Sequence, residues 1–167
     1  EDGWFATGDI GVLENGRLRI TDRKKELIKT ASGKYVAPQS IESRFKSLCP
    51  YVGNLVVHGD RRPYCVALVT LDPEAIEVWA EANGLGALNY VGLTKEPKVR
   101  AMVQEAIDEL NKDLPRHETV KDFTILPSEL TVEQGEITPS LKMRRRAVEE
   151  RYREQLDAMY KDSIQSL

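Results

Sequence analysis

Only two cysteines occur in the 167 residues, Cys49 and Cys65, at no paired spacing. They suit a reducing cytosol rather than a disulfide framework. Long apolar runs are missing as well: no stretch approaches the roughly 18 residues of a membrane-spanning helix. No charged-then-apolar leader opens the chain. A basic excess is also lacking. The formal net charge is −3 with 31% charged residues, so the surface is ionic without the positive balance of a nucleic-acid binder. The two histidines, His58 and His117, are far apart and lack a ladder of Cys, His or carboxylate neighbours. Both are expected at the surface or in turns with no chemistry, and no metal ligand is expected. The phosphate-cradling GxxxxGK[ST] pattern is absent, so a complete nucleotide site is not expected. Glu1-Asp2-Gly3-Trp4-Phe5 has no initiator Met and reads as the middle of a folded protein, a piece of something longer.

What is present suffices for one ordinary core, with 41% hydrophobic residues. Residues 10–20 alternate apolar and polar around Asn15-Gly16, the strongest short hairpin signal. Residues 21–25 are charged and suit a linker or hinge, and Leu27-Ile28 begins a short strand. Pro38 opens a helical pattern with Ile41, Phe45 and Leu48 as core positions, ending before Pro50. Residues 54–58 and 64–71 read as strands. Asp72-Pro73 starts a helix that stops at Asn83-Gly84. Residues 85–94 read as a loop. Pro97 starts a longer helix with Val99, Val103, Ile107 and Leu110 on one face. Residues 121–126 read as a strand and 131–140 as a loop. A last helix runs from Met143 to about Lys161 with Val148, Tyr152, Leu156 and Tyr160 as its seam. The expected fold is α+β: a small mixed domain with a short β-hairpin, a central sheet of about three strands and flanking helices. Cys65 is expected as a small buried hydrophobe.

Three segments place polar residues and glycine where a plain fold has no need of them. Asp9, in Thr7-Gly8-Asp9, is either a turn residue or a carboxylate able to accept both hydroxyls of a ribose. Residues 22–29 with Ser32-Gly33-Lys34 are either a solvated linker or a cationic edge facing phosphates, with Gly33 allowing close ligand approach. In the third segment, residues 135–146, Lys142 through Arg146 oppose the macrodipole of a helix that begins there. Local rule-breaking of that kind tends to mark sites, and a lysine ahead of a helix can reach an anionic ligand as a mobile point charge.

Together the three resemble, in order and spacing, the adenylate-forming (AMP-binding) superfamily. Gly3-Trp4-Phe5-x-Thr7-Gly8-Asp9 is similar to its ribose motif, Asp22-Arg23-Lys24-Lys25 through Glu42 to its hinge and following loop, and Ile137-Thr138-Pro139-x-x-Lys142 to its final lysine motif. The hinge, the longer loop through Pro38 and the charged tail resemble the long-chain fatty-acid-CoA ligases of bacteria. The resemblance implies that residues 1–22 end a large N-terminal AMP-binding domain and that 23–167 form a mobile C-terminal domain. It implies ribose binding by Asp9 and Arg23, a hinge at Lys25 and the adenylation lysine at Lys142. Gly33, with Lys34 and Lys29, would line the CoA pantetheine tunnel. ATP and CoA are the implied substrates beside the fatty acid, with Mg2+ accompanying ATP and bound mainly by the N-terminal domain. Partners are that domain and the substrates, not nucleic acid. The implied setting is cytoplasmic, and a lipid substrate is compatible with peripheral membrane association. The fragment alone is expected to fold and not to catalyse.

Two other readings stay open. One is a fatty-acyl-AMP ligase that loads a carrier protein, in which Lys142 keeps its role and Gly33 faces a carrier-bound arm. The other is a non-catalytic anion-binding module using Arg144-Arg145-Arg146, although Glu149, Glu150 and Glu154 dilute that charge at once.

Overall fold

The computed structural model describes residue 3 and residues 5–161, together with the backbone but not the side chain of Thr21; Trp4 of the first motif lies outside the described residues. The chain begins with an antiparallel hairpin, β1 (Asp9–Glu14) and β2 (Arg17–Arg23). Asn15 and Gly16 sit at φ 50° and 76°, the paired positive values of a turn that matches strand twist. Residues 21–23, expected as linker, are the end of β2, because Ile10 pairs with Asp22 and Asp9 with Arg23. The turn follows at residues 24–26.

A second small hairpin joins β3 (Ile28–Lys29) to β4 (Tyr35–Val36). Helix α1 (Pro38–Leu48) follows, with its proline in the first turn, where a missing N–H does no harm. Ile41 and Phe45 are buried as expected, but Leu48 is exposed and the next residue, Cys49, is buried in its place. The helix ends at Leu48 and the chain turns extended at Cys49 (φ −132°, ψ 91°), which seats Cys49 in the core.

The central sheet has the order β5-β6-β7, formed by β5 (Val52–His58), β6 (Cys65–Leu71) and β7 (Val120–Ile125). Strand β6 is antiparallel to β5 and parallel to β7. All seven of its residues are buried, as befits a middle strand covered on both faces. Cys65, Ala67 and Val69 face α1 and α4 (Pro97–Lys112), meeting Ile41, Phe45, Val103, Ile107 and Leu110. Val66 and Leu68 face the other way, toward Val148, Tyr152, Leu156 and Tyr160.

The link from β6 to β7 runs through α2 (Pro73–Ala82), α3 (Tyr90–Thr94) and α4. Asp72 caps α2, its Oδ1 accepting from the Ala75 N–H at 2.9 Å. Residues 85–94, expected as loop, contain α3, whose Asn89 side chain accepts from the Gly92 N–H at 2.9 Å. The final helix is two pieces, α5 (Arg145–Arg151) and α6 (Arg153–Ala158), parted at Tyr152 with φ −103° and ψ 26°. An uninterrupted helix would rotate the seam from Val148 to Tyr160 by about 120°, at roughly 100° per residue. The break keeps all four seam residues buried. No helix among the described residues is long and apolar enough to cross a membrane.

Candidate functional site

Asp9 and Arg23 are cross-strand partners at the open end of the first hairpin. The Arg23 Nε lies 3.6 Å from Asp9 Oδ1. Next to them Asp22 is buried; its Oδ1 accepts the Arg23 N–H at 2.6 Å and its Oδ2 the Gln39 N–H at 3.2 Å. Helix α1 has no side-chain cap of its own, so Asp22 satisfies one of its free N–H groups from across the turn. Burial pushes the Asp22 carboxyl above its ordinary value, against the downward pull of those two N–H groups. Lys25 is exposed in the turn, and Glu26 accepts a hydrogen bond from the Gln39 amide.

Lys142 sits on a tight reverse turn ahead of α5. Its carbonyl accepts the Thr138 N–H at 2.8 Å and its own N–H donates to Thr138 Oγ1 at 3.0 Å. Ile137 and Met143 bridge the base of the turn. Leu141, at φ 59°, takes the left-handed strain. The turn is fixed behind by Glu136, a buried carboxylate whose Oε2 accepts from the Thr131 N–H at 2.8 Å and whose Oε1 lies 3.1 Å from Arg151 Nε. The side chain of Lys142 is exposed.

Arg23, Glu26, Gln39, Lys142, Met143 and Arg145 line one cavity of about 370 Å³. The folded chain therefore brings Lys142 beside Arg23, more than a hundred residues earlier in sequence, and Arg23 carries Asp9 with it. A neighbouring cavity of about 510 Å³ contains Lys25, Glu26, Met143 and Arg145 among its walls. Cationic groups flanked by single carboxylates at an open cleft can gather an anionic ligand while keeping local charge balanced.

Gly33 is elsewhere, at the tip of the β3–β4 hairpin with φ 80°. The loop closes on buried Thr30, whose hydroxyl donates to the Lys34 carbonyl at 3.1 Å. A Cβ on Gly33 would meet only Lys29 Cε at 3.9 Å, so backbone conformation, not space within the chain, calls for glycine. Lys29 Nζ lies 5.7 Å from the centre of the Tyr35 ring, and Lys34 is exposed. Among the described residues no group of three or more His, Cys, Asp or Glu could hold a metal ion.

Sequence reasoning missed two arrangements. Arg145, inside the awkward basic run, is a half-buried residue gripping Glu42 with both ends of its guanidinium at 2.8 Å. Burial raises the Glu42 carboxyl despite Arg145. Burial likewise pulls Arg145 down, yet the bonds and charge of Glu42 leave it raised. The two parallel N–H···O bonds set a guanidinium against a carboxylate. The macrodipole conflict at this helix start is answered for Arg145 by Glu42. The second miss is His58, expected at the surface or in a turn. It ends β5 only 14% exposed, its Nδ1 2.8 Å from Glu149 Oε1 and its ring against Tyr160. A partner ninety residues away leaves no local trace.

Comparison with known proteins places the chain in a family. The profile of the family described as AMP-binding enzyme C-terminal domain matches residues 25–164. The long-chain-fatty-acid–CoA ligase FadD15 of Mycobacterium tuberculosis is 41% identical over 95% of this chain and 27% of its own length. A peroxisomal long chain acyl-CoA synthetase of Arabidopsis thaliana is 37% identical over 95% of this chain and 23% of its own. The A domain of a carboxylic acid reductase from Segniliparus rugosus, solved with AMP and a co-purified carboxylic acid, superposes with TM-score 0.73 at 27% identity, covering 97% of this chain and 24% of that one. The chain thus spans about a quarter of the length of the relatives it matches, and it belongs to the AMP-binding enzyme C-terminal domain family.

Proposed function

We propose that this chain is the mobile C-terminal part of an AMP-forming long-chain acyl-CoA ligase, with residues 1–22 finishing the large domain and 23–167 moving against it. The observation that carries this is the shared cavity of Lys142 and Arg23, with Asp9 paired to Arg23. Asp9 and Arg23 hold the ribose of ATP and then of the acyl-adenylate. In the first half-reaction the fatty carboxylate oxygen attacks the α-phosphorus, the P–O bond to pyrophosphate breaks, and acyl-AMP forms. Lys142 spans carboxylate and phosphate there, neutralising their mutual repulsion and fixing the line of attack. Mg2+ accompanies ATP and is held mainly by the large domain; no residue of this chain is assigned to it.

Rotation about Lys25 then withdraws Lys142 and brings the Gly33 turn to the acceptor. The CoA thiol attacks the acyl carbon and AMP leaves. Gly33 keeps the pantetheine path clear, with Lys29 and Lys34 facing the CoA phosphates. The free buried thiols of Cys49 and Cys65 suit a cytoplasmic setting, where peripheral contact with membrane would meet a lipid substrate.

The test is Lys142→Ala in the full-length enzyme, with each half-reaction assayed alone. Acyl-AMP formation should fall on the order of 100-fold or more, while thioester formation from supplied acyl-AMP persists. Equal loss of both steps would overturn the assignment. Offering CoA against a carrier protein to the same enzyme separates this reading from an acyl-AMP ligase.

A further inference from the structure

Lys142 can do its work only if the turn bearing it is delivered to a fixed place, because a 1 Å error at a reacting centre costs on the order of 100-fold. The side chain is exposed and long, so that accuracy must come from its base. Behind the base, Glu136 receives the Arg144 N–H on its carbonyl at 2.8 Å. Ahead of it lies Arg145, three residues from Lys142 and thus within roughly 10 Å along the chain. Arg145 makes two bonds to Glu42 at 2.8 Å and a third to the Val57 carbonyl at 2.9 Å. Glu42 in turn accepts the Val57 N–H at 2.8 Å. One guanidinium thereby ties the Lys142 segment to α1 and to β5 at once, with both side chains only 12% exposed.

Stability alone is a weak reason for such a pair. Desolvating two charges offsets much of their attraction, and apolar side chains of like volume in their place are often neutral or stabilising. What apolar side chains cannot supply is a fixed orientation through four hydrogen bonds shared among three segments. The pair also stands at the right place, since Arg145 lines the cavity that Lys142 and Arg23 share.

We propose that Arg145, held by Glu42, is a positioning residue for the adenylation step that sets where Lys142 is delivered; this rests on the adenylation role of Lys142. Arg145 acts through the turn, its Nη1 and Nη2 committed to Glu42 and the Val57 carbonyl. Because the grip stays inside the mobile part, it serves the half-reaction in which Lys142 is used and is idle in the other.

The experiment uses full-length enzyme, with a thermal melt on every variant. Glu42→Met/Arg145→Met fills the space of the pair without its bonds, and Arg145→Lys keeps the charge but loses the fork. Both should lose on the order of 10- to 100-fold in kcat for acyl-AMP formation. KM for ATP should change little, and thioester formation from supplied acyl-AMP should stay within about threefold. The double variant leaves the buried Val57 N–H and carbonyl without these partners, so it should melt below wild type; if it does not fold, Arg145→Lys decides. Adenylation that survives in the folded variants overturns the proposal. So does a loss shared by both half-reactions, which marks a merely structural pair. Lys142→Ala is run in parallel: selective loss there without loss in the pair variants defeats positioning alone, whereas a Lys142→Ala enzyme that still adenylates defeats the role of Lys142 and this inference with it.

Discussion

Cys65 opens the middle strand with its thiol sealed from water, and burial first, then the charge of Glu118, pushes its pKa from 9.0 to about 11. The folded state therefore keeps a proton that the unfolded chain gives up near pH 9. Stability contributed by the neutral thiol is whole below the unfolded value and is lost as pH climbs through the window up to about 11, a fall of about 3 kcal/mol. Cys49, also raised by burial, adds in the same direction. Denaturant melts across this range should show the decline, and Cys65→Ala should flatten it; an unchanged slope would mean that the thiol is not the cause. The same burial keeps Cys65 inert to alkylating reagents at neutral pH until the chain unfolds. Nothing in this chemistry touches the Lys142 cleft, so alkaline loss of fold and loss of function should be separable by assaying the variant at neutral pH.

At the scale of elements, what was legible depended on how local the cause was. Asn15-Gly16, Asp72-Pro73 and Pro97 state their turns and helix starts within a few residues, and each stands where expected. Asp72→Ala should remove about 1 kcal/mol through the lost α2 cap and lower the melting temperature while both half-reactions proceed, since α2 packs with α3 away from the cleft. The β3–β4 turn offers the opposite case. Gly33 is at φ 80° with open space around it, so Gly33→Val strains the backbone by roughly 1–2 kcal/mol. It should slow thioester formation from acyl-AMP while acyl-AMP formation continues; equal slowing of both would remove Gly33 from the acceptor path. Causes that lie far off in sequence were not legible. Glu42 and Arg145 are 103 residues apart, and only the misplaced positive charge at the start of α5 hinted at a partner. The break at Tyr152 has no proline or glycine to announce it, and follows from keeping a four-residue seam on one face. The motif singles Lys142 out as a candidate, but its closeness to Arg23 was not legible, since that depends on how the turn of residues 24–26 folds back on α1.

For the molecule as a whole, the first hairpin is the least settled piece. Leu13, Leu18 and Ile20 are 73%, 68% and 55% exposed, and a lone two-stranded hairpin is marginal in water. Under the proposed function its cleft-side residues are half of a site, so the isolated chain, given ATP, Mg2+, fatty acid and CoA, should form no acyl-CoA; turnover by the purified chain would overturn that division of labour. The central sheet has a consequence of another kind, for the order of folding events. β5 and β6 are joined by the short loop of residues 59–64, whereas β7 must wait until residues 72–119 have gathered into α2, α3 and α4 before it can lie parallel to β6. Closing the longer loop carries the larger entropy, so the β5–β6 pair should belong to the rate-limiting nucleus and β7 should dock after it. Stopped-flow chevrons would show this: Leu55→Ala in β5 should mainly slow refolding, and Phe123→Leu in β7 should mainly speed unfolding. The reverse pattern would place nucleation at the parallel seam.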